Sequence, residues 1–208
     1  MIGEGVLLEC LANPVITEIL SVSRKSTGKN HPKLKEYLVP DFLALKPGDE
    51  KLNGYDACFY CAGVSSVGMN EKKYKITTYD TTLAFARALN SKSNMSFVYV
   101  SGVGTDSSEK GKLKWARVKG KTENDLAKLP FKQVFGFRIS LVEPARKQKH
   151  ILSIYKYILW MLPLVKKMFP NSYCTMKQVA DAMIYFSKNG YSKNVILVSD
   201  IHKVTQAK

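Results

Sequence analysis

The chain is 208 residues long and carries 32 Lys and Arg against 17 Asp and Glu, a formal net charge of +15. That length gives one domain with room for a substantial core, and 45% hydrophobic against 24% charged residues excludes wholesale disorder. Four cysteines do not make a disulfide scaffold and no secretory signal pattern is present, so the cytoplasm is the expected compartment. The charge suits a polyanionic partner, an anionic membrane surface, a phosphate-bearing ligand, or simply a solvated lysine surface. Lysines are spread along the whole chain without a run of about five or six like charges, which argues against a nucleic-acid partner.

Helical and strand patterns alternate from one end to the other. Residues 5–12 carry Leu7, Leu8 and Leu11 at helical spacing, and Asn13-Pro14 stops them. Residues 19–23 alternate as a strand, and 37–39 form a shorter, weaker one. The apolar run 57–62 ends in Gly63 and reads as a strand buried on both faces. A long helix is expected from about 71 to 89, with Tyr79, Leu83, Ala86 and Leu89 on one stripe. The strand 97–100 breaks into Ser101-Gly102-Val103-Gly104, and the polar stretch 105–114 is expected to be a mobile loop. A helix over 115–129 ends at Pro130, and a strand over 134–139 follows. Thr175-x-x-Gln178 is a capping box opening a helix with Val179, Ala182, Met183 and Phe186 inward, and 195–198 is the last strand. This order predicts an α/β fold: one Rossmann-type, doubly wound parallel sheet in a single domain over 1–208.

Ligands of such sheets lie beyond the carboxyl ends of the strands, so the residues just after each strand are the candidates. Met1-Ile2-Gly3-Glu4-Gly5 reads as the tail of a dinucleotide-binding glycine motif running into its helix. About twenty residues on, where an NAD-binding fold places an acid against the ribose hydroxyls, stand Ser23-Arg24-Lys25, suited to a 2′-phosphate. Asp41-Phe42 follows the 37–39 strand, where a carboxylate can accept from an adenine amine. Cys61-Ala62-Gly63 follows the next, where small residues let a cofactor approach the backbone, and Ser101 follows the 97–100 strand.

Taken in order, MIGEGVLLECL, SVSRKS, YDACFYCAG, FVYVSGVGTD, WARVKGKTENDL, FRISLVEP and TMKQVADAMI cover nearly the whole chain. They resemble the atypical short-chain dehydrogenase/reductase superfamily, in particular its NmrA-like branch related to the Tat-interacting oxidoreductase. The resemblance implies NADP(H) or NAD(H), which Arg24 and Lys25 turn into an expected preference for NADP(H), bound at Gly3, Arg24, Lys25, Asp41, Phe42, Ala62 and Gly63. It also implies Lys119 on the nicotinamide ribose and Ser101 on the oxygen of a small carbonyl or alcohol substrate. Residues from about 145 to 208 would contribute the substrate side.

Two departures from the family pattern matter. The first strand and the first two glycines of its Gly-x-x-Gly-x-x-Gly motif have no counterpart, so the strands at 19–23 and 58–61 are expected to lack their shared neighbour. A native start roughly 10–15 residues upstream, one strand plus its turn, is the corresponding expectation. Active members also carry a Tyr-x-x-x-Lys pair, whereas this chain has Trp115-Ala116-Arg117-Val118-Lys119. Tryptophan donates but has no accessible acid–base chemistry. Tyr74 and Tyr99 are the substitute donors weighed. The alternative function is a non-catalytic NADP(H) sensor or scaffold read by a protein partner.

Cys58 and Cys61 have the letters of a metal or redox motif, but residues three apart on a strand face opposite sides, and His31, His150 and His202 show no ligand spacing. No metal site is expected, and Cys10 and Cys174 read as fillers. The apolar stretch 151–165, flanked by lysines, is shorter than the about 20 residues a bilayer span needs. It can cover the substrate pocket, pack a homodimer or lie in a membrane interface.

Overall fold

The computed structural model describes residues 1–89, 92–151, 168 and 172–206. Apart from Ile151, the 151–165 stretch lies outside them. The chain opens with α1 (Ile2–Ala12) and continues through β1 (Ile19–Ser23), β2 (Leu34–Leu38) and β3 (Ala57–Tyr60). A helical run follows as α2 (Glu71–Lys75), a π-helical turn at Ile76–Asp80 and α3 (Thr81–Ala88). Then come β4 (Ser96–Val100), α4 (Lys114–Leu126), β5 (Gln133–Arg138) and β6 (Leu141–Glu143). Beyond lie β7 (Tyr173–Thr175), α5 (Met176–Asn189), β8 (Val195–Leu197) and α6 (Val198–Gln206).

Every strand pair is parallel. The order is β3-β4-β5-β8 in a four-stranded sheet, with β1-β2 and β6-β7 as separate pairs. Alternation along the strands divides the core in two, as a sheet covered on both faces requires. Val98, Phe135 and Phe137 face α1 and α5, among Val6, Cys10, Val179, Met183 and Phe186. Phe97 and Tyr99 face α3 and α4, among Leu83, Phe85, Ala86 and Leu126. Each fully buried Phe removes enough apolar area from water to contribute roughly 2–3 kcal/mol. This is a Rossmann-like α/β arrangement, as the alternating pattern predicts.

The predicted strands at 19–23, 57–62, 97–100 and 134–139 all form within two residues of their expected ends. The α5 capping box forms in full, with Thr175 Oγ1 accepting from Gln178 N and Gln178 Oε1 from Thr175 N. Elsewhere the structure departs from expectation. β2 starts earlier than 37 because it is an outer strand whose exposed Lys35 and Glu36 leave no apolar run to mark it. The long helix widens at Ile76–Asp80, where Thr81 Oγ1 bonds back to Ile76 O at 2.9 Å and Thr82 Oγ1 to Thr78 O at 2.5 Å. Such hydroxyls compete with the regular ladder. β6, β7 and α6 are too short or too polar to announce themselves.

The polar stretch 105–114 is tied down rather than free. Asp106 accepts from Ser108 N at 3.0 Å and Gly111 N at 2.7 Å, its own N–H donates to Ala116 O at 3.1 Å, and Arg117 holds Gly111 O at 2.7 Å. The loop lies so close to α4 that a Cβ at Gly120 would stand 1.7 Å from Asp106 O. Gly120→Ala should therefore lose about 2–3 kcal/mol in chemical denaturation, despite the roughly 1 kcal/mol that alanine gains in an unobstructed helix. A stabilised variant would show that the loop does not sit on the helix.

Candidate functional site

Parallel pairing brings together the carboxyl ends of β1 and β2 and, in the separate four-stranded sheet, those of β3 and β4. After β1, Ser23 Oγ donates to Lys25 O at 2.6 Å, while Ser26 Oγ and Thr27 N donate to the Glu36 carboxylate at 2.7 and 2.6 Å. These bonds fix the backbone and leave Arg24 and Lys25 exposed, with no carboxylate partner among the described residues. After β2, Asp41 accepts from Leu43 N at 2.9 Å and caps the short helix Phe42–Ala44. The Phe42 ring turns into the core, 5.6 Å from that of Phe85, so only its backbone faces the edge.

After β3, Ala62 and Gly63 are exposed, and a Cβ at Gly63 would meet nothing within 4 Å. Gly3, in the first turn of α1, lies against the end of β3, where its Cβ would come within 3.4 Å of the Cys61 Cβ. Beside it Glu4 accepts from the backbone N–H of Lys149 at 3.0 Å and of His150 at 2.8 Å, with the His150 ring at 2.9 Å and Lys29 at 4.0 Å. Gln148 Nε2 donates to Met1 O at 2.9 Å. Sequence reasoning missed this tie because its partners stand about 145 positions apart and none belongs to a motif.

After β4 the structure brings Ser101 and Lys119 together. The Lys119 ammonium donates to the Ser101 carbonyl, not to its hydroxyl. Ser101 is 2% exposed, and its Oγ reaches Phe137 O at 3.4 Å. Burial lowers the Lys119 pKa, with Glu123 pulling the other way. One turn earlier on α4 stands Trp115, whose ring lies against Gly104, with Cη2 3.2 Å from where a Cβ would be. The indole therefore covers the loop that leaves β4. Tyr74 and Tyr99, weighed as substitute proton donors, are 3% and 1% exposed and lie in the interior, where burial raises both hydroxyls. Neither can serve a ligand at the open edge.

The cysteines are placed as inert side chains. Cys58 packs into the α3 core and Cys61 into the α1 core, on opposite faces. Burial pushes the thiols of Cys10, Cys61 and Cys174 up to about 12. Among the described residues no group of His, Cys, Asp and Glu is placed to hold a metal ion, and no helix is long and apolar enough to cross a membrane.

No family model and no curated protein matches the chain. Solved structures do. WbmG of Bordetella bronchiseptica in complex with NAD superposes with a TM-score of 0.65 at 12% identity, over 100% of this chain and 74% of that one. The UDP-N-acetylglucosamine 4-epimerase of Methanobrevibacter ruminantium M1, in complex with UDP-N-acetylmuramic acid, gives 0.63 at 16% identity, over 94% and 71%. The UDP-glucose 4-epimerase of Thermotoga maritima, with UDP-glucose, gives 0.60 at 14%, over 98% and 77%. At these identities the likeness defines the fold: a Rossmann-like α/β protein.

Glu4 is the side chain that fastens the start of α1 to the loop before residue 151. Burial raises its pKa, but the bonds from Lys149 and His150 outweigh this and leave it lowered. Glu4→Ala should cost about 1–2 kcal/mol at pH 7 by thermal denaturation. A lowered carboxylate pKa stabilises above the unfolded value and ceases to do so as pH falls through the folded one. The deficit should therefore shrink once the pH drops below about 4.

Proposed function

We propose that the carboxyl edge of this sheet binds a nicotinamide dinucleotide, NADP(H) in preference to NAD(H), as a short-chain dehydrogenase/reductase-like protein of the NmrA-like kind. The observation that carries the reading is the pair of unpaired, exposed cations at Arg24 and Lys25, directly after β1. Guanidinium and ammonium groups free of carboxylates are the donors a 2′-phosphate needs. Solved structures of similar fold hold NAD, which supports a nicotinamide cofactor; the NADP(H) preference rests on Arg24 and Lys25 alone.

On this reading the residues fit the cofactor from end to end. Asp41 and the Phe42 backbone face the adenine, and the open backbone at Ala62 and Gly63 faces the adenosine ribose and pyrophosphate. Gly3 presents the start of α1 to the same phosphates. Lys119 holds the nicotinamide ribose; Ser101, assigned to the oxygen of a small carbonyl or alcohol, is 2% exposed with its hydroxyl toward Phe137 O, so it takes that role only once its side chain turns out of the interior. The bound nicotinamide would supply or accept a hydride. The protein works in the cytoplasm, and the part from about 145 to 208 contributes the substrate side.

A second reading, a cofactor sensor or scaffold read by a protein partner, is favoured by one observation. Trp115 lies on the Gly104 loop where a reductase needs a proton donor, and its N–H has no acid–base chemistry.

Calorimetry on the 208-residue chain tests the cofactor. NADPH should bind more tightly than NADH, and replacing Arg24 and Lys25 together by Ala should weaken NADPH by about 10–100-fold while moving NADH less than about twofold. Equal losses for both would remove the 2′-phosphate assignment. Trp115→Tyr separates the two readings. Carbonyl-dependent NADPH oxidation by the unaltered chain means an enzyme; oxidation that appears only with tyrosine means a sensor.

A further inference from the structure

We infer that the rim formed by the loops after β3 and β4 is a surface that docks on an anionic lipid bilayer. β3 and β4 pair in parallel, so both loops leave the same end of the sheet. One guanidinium then holds them side by side. Arg117, near the start of α4, donates from Nη2 to Glu71 Oε1 at 2.8 Å. From Nη1 it donates to Gly111 O at 2.7 Å and Lys112 O at 3.2 Å. Glu71 opens α2 at the end of the first loop, and Gly111 and Lys112 stand just before α4 at the end of the second.

This rim turns apolar side chains to water. Val67 on the first loop is 86% exposed, and on the second Val103 and Leu113 are 56% and 57% exposed. The Trp115 ring lies on Gly104, which draws the beginning of the second loop, with Val103, toward its end at Leu113. Single exposed apolar residues are ordinary on a protein surface; several at the tips of adjoining loops form a patch.

Lysines surround the patch. Lys72 and Lys73 on α2 are exposed, as are Lys110, Lys112 and Lys114 at the second loop and the start of α4. None has a carboxylate partner among the described residues, because the acids nearby are turned inward. Glu71 takes Arg117, Asp106 takes the N–H groups of Ser108 and Gly111, and Glu109 accepts from Asn124 Nδ2 at 2.7 Å. Lys112-Leu113-Lys114 sets a leucine between two cations where α4 begins, with no acid in its first turn, and the helix dipole disfavours positive charge there. The fold gains nothing from these lysines, whereas a surface of phosphates does. A bilayer matches both features: ammonium groups reach the headgroups while their stems and the apolar tips enter the acyl boundary. A nucleic acid instead calls for exposed rings or free guanidinium groups to stack on bases. Here Tyr74 is buried, the Trp115 ring covers Gly104 and Arg117 is engaged.

The test uses vesicles and no cofactor, so it stands or falls apart from the nucleotide reading. The unaltered chain should co-sediment with mixed phosphatidylglycerol and phosphatidylcholine vesicles and far less with phosphatidylcholine alone. Each lysine near an anionic surface strengthens partitioning about fivefold, so replacing Lys110, Lys112 and Lys114 together by Glu should weaken it by at least about a hundredfold. Val67→Ser combined with Leu113→Ser should weaken it by about tenfold. Replacing Lys46, Lys132 and Lys188, exposed elsewhere, by Glu changes the net charge equally and should cost less than about threefold. No binding to anionic vesicles, or equal losses from the rim lysines and the remote ones, overturns the proposal. So does binding that needs the rim lysines but not Val67 and Leu113, which is how a site for a soluble polyanion, an acidic protein or a nucleic acid, behaves.

Discussion

Parallel pairing of β4 between β3 and β5 is the constraint from which the rest of the molecule follows. A parallel neighbour can be reached only by a crossover, so helices must cover both faces, and the strands between them must be apolar on both sides. Phe97 and Tyr99 on one face and Val98 on the other meet that demand in three consecutive residues. The same geometry collects the carboxyl ends of β3, β4, β5 and β8 on one edge of their sheet. Ser101 leaves that edge into a loop pressed onto α4 at Gly120, and Lys119, the residue before that glycine, then reaches the Ser101 carbonyl. One close approach between loop and helix sets the geometry of the central pair.

Electrostatics show why so basic a chain keeps its cations at that edge. Its acids are few, and many are engaged in holding the backbone. Glu36 anchors the loop after β1, Asp106 the loop after β4, and Glu4 the segment before residue 151. Asp125 accepts from Tyr79, Lys121 and Lys128 together, and Asp200 from Tyr191, Lys193 and Leu197 N. Carboxylates used in this way cannot neutralise Arg24 and Lys25. The surplus of positive charge is therefore local as well as global, with Arg24 and Lys25 exposed directly after β1.

Much of this fold was legible in the sequence because buried parallel strands and capped amphipathic helices leave periodic traces. β3, β4, β5 and α5 are of that kind. β2 is an outer strand whose exposed Lys35 and Glu36 engage Glu18 and the loop after β1, so its apolar pattern shortens to the residues at its end. The π-helical turn arises from threonine hydroxyls bonding back to carbonyls, which no hydrophobic period records. Of the candidate site, the order of segments along the edge could be read, and so could the nearness of Lys119 to Ser101. That Lys119 binds the carbonyl rather than the hydroxyl, that Phe42 turns inward and that Glu4 meets His150 depend on packing between distant segments.

The proton decides what kind of molecule the site makes. Hydride transfer to a carbonyl leaves an alkoxide that must be protonated, and the lysine on α4 is poorly placed to do so. Its ammonium is bound to the Ser101 carbonyl, which fixes where its protons point. Tyr74 and Tyr99 are sealed in the core, and the Trp115 N–H has no accessible acid–base chemistry. Among the described residues, the proposed dinucleotide site offers exposed cations at Arg24 and Lys25 and open backbone at Ala62 and Gly63, while Tyr74 and Tyr99 lie inside. Recognition of the proposed cofactor needs nothing beyond these groups, whereas turnover needs a proton donor from the substrate, from water or from outside the described residues.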